Sequence, residues 1–187
     1  MDEEIKKALE ILRKGGTLLY PTDTVWGIGC DASNSEAVKK VFKLKQREES
    51  KALIVLIDNA NLLNKYVKDV SAVAWDLIEY ADKPLTIIFD KVHGLPVNLI
   101  AADGTLGIRV VKDEFCRKLI HKLGKPIVST SANVSGAPTP ACFAEITEEI
   151  IKGVDYVVNW RQHEMHSAPP SSIIKLAANG EFKIIRK

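Results

Sequence analysis

Two short apolar runs, ALIVLI at residues 52 to 57 and PLTIIF at residues 84 to 89, decide how this chain folds. Each is nearly unbroken by polar residues, the pattern of a strand covered on both faces by other elements. Residues 59 to 81 between them read as mostly helical. Upstream, Ile5, Leu9 and Leu12 recur at helical spacing within residues 3 to 13, and Gly15 with Gly16 stops that helix before the strand TLLY at 17 to 20. Ser33 and Glu36 form a capping box ahead of Ala37, Val38, Val41, Phe42 and Leu44, so a second helix should run to about Lys45.

Downstream, GTLGIRV (104 to 110) reads as a strand. Asp113 then caps a helix that turns Phe115, Leu119, Ile120 and Leu123 inward and ends at Gly124. KPIVST (125 to 130) is a further strand and residues 145 to 152 a short helix. DYVVNW, SSIIKL and EFKIIR read as three closing strands. The alternation predicts an α/β (α+β) fold. Its sheet should be twisted and mixed parallel/antiparallel, because the last strands have no crossover helices between them.

The chain has 187 residues, 46% of them apolar and 27% charged, and 26 Lys and Arg against 24 Asp and Glu leave a net charge of +2. A single soluble domain over residues 1–187 is the expectation. So slight a net charge gives no general attraction to nucleic acid, and any RNA contact must come from a local patch. The charged, amphipathic start MDEEIKKALEILRKGG lacks an apolar signal core, and no window reaches membrane-span length, which points to the cytoplasm. Cys30, Cys116 and Cys142 are odd in number and widely spaced, so they read as small buried thiols. HEMH at 163 to 166 has no third ligand at a metal-binding spacing and reads as surface loop, so no metal site is expected.

Three loops carry the candidate chemistry, each leaving a strand or helix where open α/β sheets place ligands. PTDTVWGIGCD (21 to 31) offers the hydroxyls of Thr22 and Thr24, and its Gly27 and Gly29 allow close backbone approach. KLKQREESKAL (43 to 53) brings Lys45, Arg47 and Lys51 to a helix end. There they either solvate the negative end of the helix or converge on a triphosphate. STSANVSGAPTP (129 to 140) crowds Ser129, Thr130, Ser131, Ser135 and Thr139 around Asn133, more hydroxyls than one turn requires. No Walker loop, GxGxxG or GxSxG motif is present, and no histidine is placed to activate a serine.

Taken in order, PTDTVWGIG, KLKQREESK, GIRV, STSANVSG and PPSSII resemble the YrdC family of L-threonylcarbamoyl-AMP synthases over nearly the whole chain. The resemblance implies a YrdC-like sheet with flanking helices around a deep concave cavity. It also implies a reaction of L-threonine, bicarbonate and ATP giving threonylcarbamoyl-adenylate and pyrophosphate. Partner proteins would then transfer the threonylcarbamoyl group to tRNA. Carried over residue by residue, Lys45, Arg47, Ser131 and Asn133 match the family's characteristic tetrad. Thr24, Arg109, Ser129 and Ser171 match threonine contacts, with Arg109 facing the carboxylate. Arg47, Lys51, Thr105, Ser131, Thr139 and Arg186 match ATP contacts, and Mg2+ is expected through phosphate oxygens.

The chain departs from the family pattern at Asp23 (usually Glu), Trp26 (Tyr), Glu48 (Pro), Lys175 (an acid) and Val111 (Pro). It also ends soon after the last predicted strand, which makes it resemble the short form without a second domain. In that form residues 160 to 170 or the N-terminus would have to close the cavity. A YciO-like paralogue and a module binding double-stranded RNA or tRNA are the rival readings. The synthase reading requires the Lys45–Arg47 and Ser131–Asn133 segments to meet in space.

Overall fold

The computed structural model describes residues 1–48, 53–165, 168–177 and 179–187. In chain order the elements are α1 (Asp2–Arg13), β1 (Leu18–Tyr20), β2 (Gly27–Gly29), α2 (Ser35–Leu44), β3 (Ile54–Ile57), α3 (Ala72–Tyr80), β4 (Leu85–Phe89), β5 (Leu106–Val110), α4 (Glu114–Leu123), β6 (Ile127–Ser131), α5 (Glu148–Gly153), β7 (Tyr156–Val157), β8 (Ser172–Leu176) and β9 (Phe182–Arg186). The strands join one sheet in the order β7-β1-β2-β6-β3-β5-β4-β8-β9. Pairs β1–β7, β3–β5 and β4–β8 are parallel, and the other neighbours are antiparallel. The mixed α/β sheet expected from the sequence is thus present.

Helices cover both faces, which is why β3 needs no polar residue. Val55 and Ile57 pack with Val38, Val41 and Phe42 of α2 on one side. Leu56 packs with Ile5 and Leu9 of α1 and with Phe115 and Leu119 of α4 on the other. β6 follows the same alternation: Val128 joins the α2 side and Ile127 the α1–α4 side. By the two-residue period of a strand, Ser129 and Ser131 also face the α1–α4 side, beyond the reach of those helices. That parity gives the sheet a polar stretch on an otherwise apolar face.

One local expectation is corrected. Asn34, not Ser33, caps α2: its side-chain oxygen accepts from the backbone N–H of Glu36 and Ala37. Ser33 instead donates to Asp31. Residues 59 to 81 are mostly helical as expected, but in two pieces, a 3-10 helix at Ala60–Lys65 and α3 at Ala72–Tyr80. All three closing strands are present, β7 at one edge of the sheet and β8–β9 at the other. Asp113 and Gly124 do bound α4, the latter at φ +71°.

The loop at 21 to 31 contains a strand, β2, that sequence reading missed. It fits between β1 and β6 because its glycines leave room for a neighbouring ring. A Cβ on Gly29 would fall on the carbonyl oxygen of Val128 and lie 2.8 Å from the Tyr20 ring. The ring instead lies across the strand, and the Tyr20 hydroxyl donates to Val128 O at 3.0 Å. Gly29 therefore serves strand packing, whereas the sequence had suggested approach to a ligand.

Candidate active site

The two segments whose meeting was required are bonded to each other. After α2 the chain turns sharply, with Gln46 at φ +49° and the Arg47 N–H returning to Phe42 O. The turn directs the Lys45 side chain inward, where it is 1% exposed. Its ammonium donates to Ser131 O and Asn133 O, both at 2.6 Å, while Lys45 O accepts from Ser135 N at 2.8 Å. The first loop joins through Ala132 N, which donates to Trp26 O at 3.0 Å. Trp26 is buried beneath the 129 to 140 loop and its ring lies 4.9 Å from that of Phe143.

The two cations at this junction feel their burial. Lys45 has its pKa lowered from 10.5 to about 8, first by desolvation and then by the charge of Arg47. Arg47 is also lowered by burial. Both shifts mean that the charged forms are disfavoured, so an anion brought close to them would be bound strongly.

A pocket of about 230 Å³ opens beside this junction, on the polar stretch of β6. Ser129, Thr130 and Ser131 form its floor, Thr24 and Gly27 one wall, and Ile54, Ser171 and Ile173 another. Arg47, Arg109, Arg186 and the exposed Thr139 complete it. Three arginines and no carboxylate line it among the described residues.

Arg109 is 2% exposed and is held by the PTDT loop. Its Nη1 donates to Thr24 Oγ1 at 3.1 Å, and its Nη2 lies 3.2 Å from Asp23 Oδ1, close enough for an ion pair but without hydrogen-bond geometry. Its buried Nε has no hydrogen-bond partner. Arg186 donates from Nε to Ser171 O at 2.9 Å, and burial followed by the charge of Arg109 lowers its pKa. The Ser171 hydroxyl in turn shares a 2.8 Å hydrogen bond with Thr86.

Of the expected site residues, Thr24, Arg47, Arg109, Ser129, Ser131, Thr139, Ser171 and Arg186 line this one pocket. Lys45 and Asn133 stand behind its wall. The Asn133 amide donates to Val134 O and Ala137 O at 3.0 and 2.7 Å, and its Oδ1 has no partner. Thr105 does not line the pocket. Its hydroxyl donates to Asp103 Oδ1 at 2.6 Å, and this bond, followed by one from Lys175, holds Asp103 at a pKa of about 2. Lys175, where the family pattern has an acid, is thereby neutralised locally. Lys51 lies outside the described residues, as does His166. Among the described residues no cluster of His, Cys, Asp and Glu could hold a metal ion. Cys30 and Cys116 are buried with their thiol pKa values pushed up, as inert core cysteines should be.

Thr22, whose hydroxyl the sequence had offered to the site, does not line the pocket, and neither do Asp23 and Thr86, which were not among the expected contacts. They touch no pocket space and instead orient those that do. A mixed α/β sheet with a cationic, hydroxyl-rich pocket at its strand ends is the arrangement of a protein that holds small anionic molecules. The chain belongs to the Sua5/YciO/YrdC family, whose model, described as telomere recombination, matches residues 10–187.

Among its relatives is a threonylcarbamoyl-AMP synthase of Pseudoalteromonas translucida, 33% identical over 180 residues that cover 95% of each chain. P. abyssi Sua5 complexed with L-threonine superposes with a TM-score of 0.82 at 27% identity, over 92% of this chain. This chain spans 50% of the length of that protein. E. coli YciO superposes with a TM-score of 0.86 at 25% identity, covering 100% of this chain and 90% of its own. No helix among the described residues is long and apolar enough to cross a membrane.

Proposed function

We propose that this protein is an L-threonylcarbamoyladenylate synthase, making threonylcarbamoyl-AMP and pyrophosphate from L-threonine, bicarbonate and ATP for tRNA modification in the cytoplasm. The observation that carries this is the single pocket in which three arginines meet a row of hydroxyls with no carboxylate among them. Every substrate is anionic or carries a carboxylate, and the reaction gathers that charge into one place.

The threonine amine attacks the carbon of bicarbonate, water leaves, and the N-carboxylate formed attacks the α-phosphorus of ATP as pyrophosphate departs. Arg109, with its unpartnered Nε, receives the threonine carboxylate beside Thr24, Ser129 and Ser171. Arg47 and Arg186 offset phosphate charge, while Ser131 and Thr139 hold the nucleotide. Lys45 and Asn133 fix the wall that carries Ser131, and the Lys45 charge adds to the field. Such chemistry is positioning and electrostatics, with no covalent enzyme intermediate required. Mg2+ would arrive with the triphosphate, its ligands being phosphate oxygens and water because the described pocket residues include no carboxylate. A separate transferase would carry the product to tRNA.

The YciO-like and RNA-binding rivals are not favoured. A relative matched along nearly the whole chain bears the synthase name, and the three arginines converge on one pocket instead of lying along a stripe. The test is pyrophosphate release from ATP with and without L-threonine and bicarbonate, for the wild type and Arg47→Ala. Release should need both co-substrates and fall by about a hundredfold or more in the variant. Release indifferent to threonine would refute the assignment.

A further inference from the structure

The PTDT loop contains a chain of hydroxyls whose proton directions are fixed by counting. The Thr22 hydroxyl, in a residue only 4% exposed, lies 2.8 Å from Val25 O. A carbonyl only accepts, so the single Thr22 proton goes there. The Thr22 oxygen also accepts from the Thr24 N–H at 3.0 Å and lies 3.0 Å from the Thr24 hydroxyl. With the Thr22 proton already used, the Thr24 hydroxyl must be the donor in that contact, which saturates Thr22. Thr24 then accepts from Arg109 Nη1 at 3.1 Å. One acceptor lone pair is all that its hydroxyl retains for the pocket it lines.

We propose that Thr22 is a positioning residue that makes Thr24 acceptor-only toward the pocket, so that the wall beside Arg109 admits a hydrogen-bond donor and repels a carboxylate or phosphate oxygen. A bound amino acid is thereby oriented. Its carboxylate goes to Arg109, and an N–H or O–H of the same molecule goes to Thr24. Thr22 touches no substrate and acts through the proton it accepts. The loop is also fastened from outside, because Arg161 Nη1 donates to Thr22 O at 3.3 Å and to Asp113 Oδ2 at 3.0 Å. The acceptor's place as well as its polarity is therefore held.

The identity of the amino acid rests on the synthase reading, but the hydroxyl chain does not, so two measurements are needed. Neutron diffraction from a deuterated crystal should place the Thr22 deuteron toward Val25 O and the Thr24 deuteron toward Thr22. A Thr24 deuteron directed into the pocket overturns the proposal. Calorimetry then measures L-threonine binding to wild type, Thr22→Val and Thr22→Ser. Thr22→Val, which keeps the shape and frees the Thr24 proton, should bind about tenfold more weakly, the worth of one neutral hydrogen bond. Thr22→Ser should return to within about twofold of wild type, which a loss of mere packing would not do.

Wild-type affinity in Thr22→Val, or no recovery in Thr22→Ser, overturns the positioning role. L-2-aminobutyrate, which lacks the hydroxyl, separates the two donors: unchanged affinity assigns the amino N–H, and weakened affinity assigns the hydroxyl. If the wild type binds no L-threonine at all, the synthase reading falls, while the neutron map still decides the hydroxyl chain.

Discussion

Raising the pH should stabilise this protein through one residue, Lys45. The residue is 1% exposed, and its ammonium faces two backbone carbonyls instead of a carboxylate and has its pKa lowered from 10.5 to about 8 by desolvation and then by the charge of Arg47. Below pH 8 both native and unfolded chains carry the proton, and the fold bears the full cost of the buried charge. Between pH 8 and 10.5 the unfolded chain still binds the proton and the native chain releases it, so stability rises with pH across that window. The shift of about 2.5 units corresponds to roughly 3.4 kcal/mol at its limit, of which about 2.5 kcal/mol is recovered between pH 7 and pH 10.

Other lysines and tyrosines titrate in the same range, so the measurement is a difference. Denaturant unfolding of wild type and Lys45→Met at pH 7 and pH 10 isolates the Lys45 contribution, because groups elsewhere cancel. Wild type should gain about 2.5 kcal/mol on Lys45→Met over that interval. A constant difference between the two proteins, or a Lys45 Nζ that titrates near 10.5 by NMR, would refute the reasoning. Either result would mean that water or an acidic group reaches the ammonium.

The remaining predictions concern local geometry. Gly29→Ala places a methyl group on the Val128 carbonyl and against the Tyr20 ring, and should cost about 3 kcal/mol in denaturant unfolding. Asn34→Ala removes the acceptor for two N–H groups at the start of α2 and should lower stability by about 1 kcal/mol, a fall in Tm of about 2–4 °C. Ser33→Ala, at the position the sequence pattern had favoured as the cap, should leave α2 intact and perturb only the turn at Asp31. A melt of the two variants side by side ranks the caps.

How much of this was legible in the sequence varied with the range of the interactions. β3 was plain because burial on both faces leaves an apolar run that nothing else explains, whereas β4, read the same way, sets only Leu85, Ile87 and Phe89 into the core. The site's cations and hydroxyls were visible as unusual clusters, and their union by Lys45 agrees with the expected meeting of the two loops. β2 was hidden because Gly-Ile-Gly has no alternation, and its glycines answer to a tyrosine on the neighbouring strand. The Lys45 contact was hidden too, since a lysine that binds carbonyls has the same sequence signal as one that waits for phosphate. Thr105 failed to reach the pocket because Asp103, two residues earlier, captures its hydroxyl, a local bond that a motif match does not register.

The same charges that line the pocket weaken the fold. The chain as a whole is nearly neutral at +2, yet three arginines and a buried lysine are gathered at one pocket, where Asp23 pairs with Arg109. Desolvation and then the charge of Arg47 lower the pKa of Lys45, and desolvation and then the charge of Arg109 lower that of Arg186, so the cations repel one another in addition to losing water. A triphosphate or a carboxylate entering the pocket reverses the sign of that field and relieves the repulsion. The stability of the protein should rise with ligand concentration as mass action requires, by about 2.7 kcal/mol at a hundred times the dissociation constant.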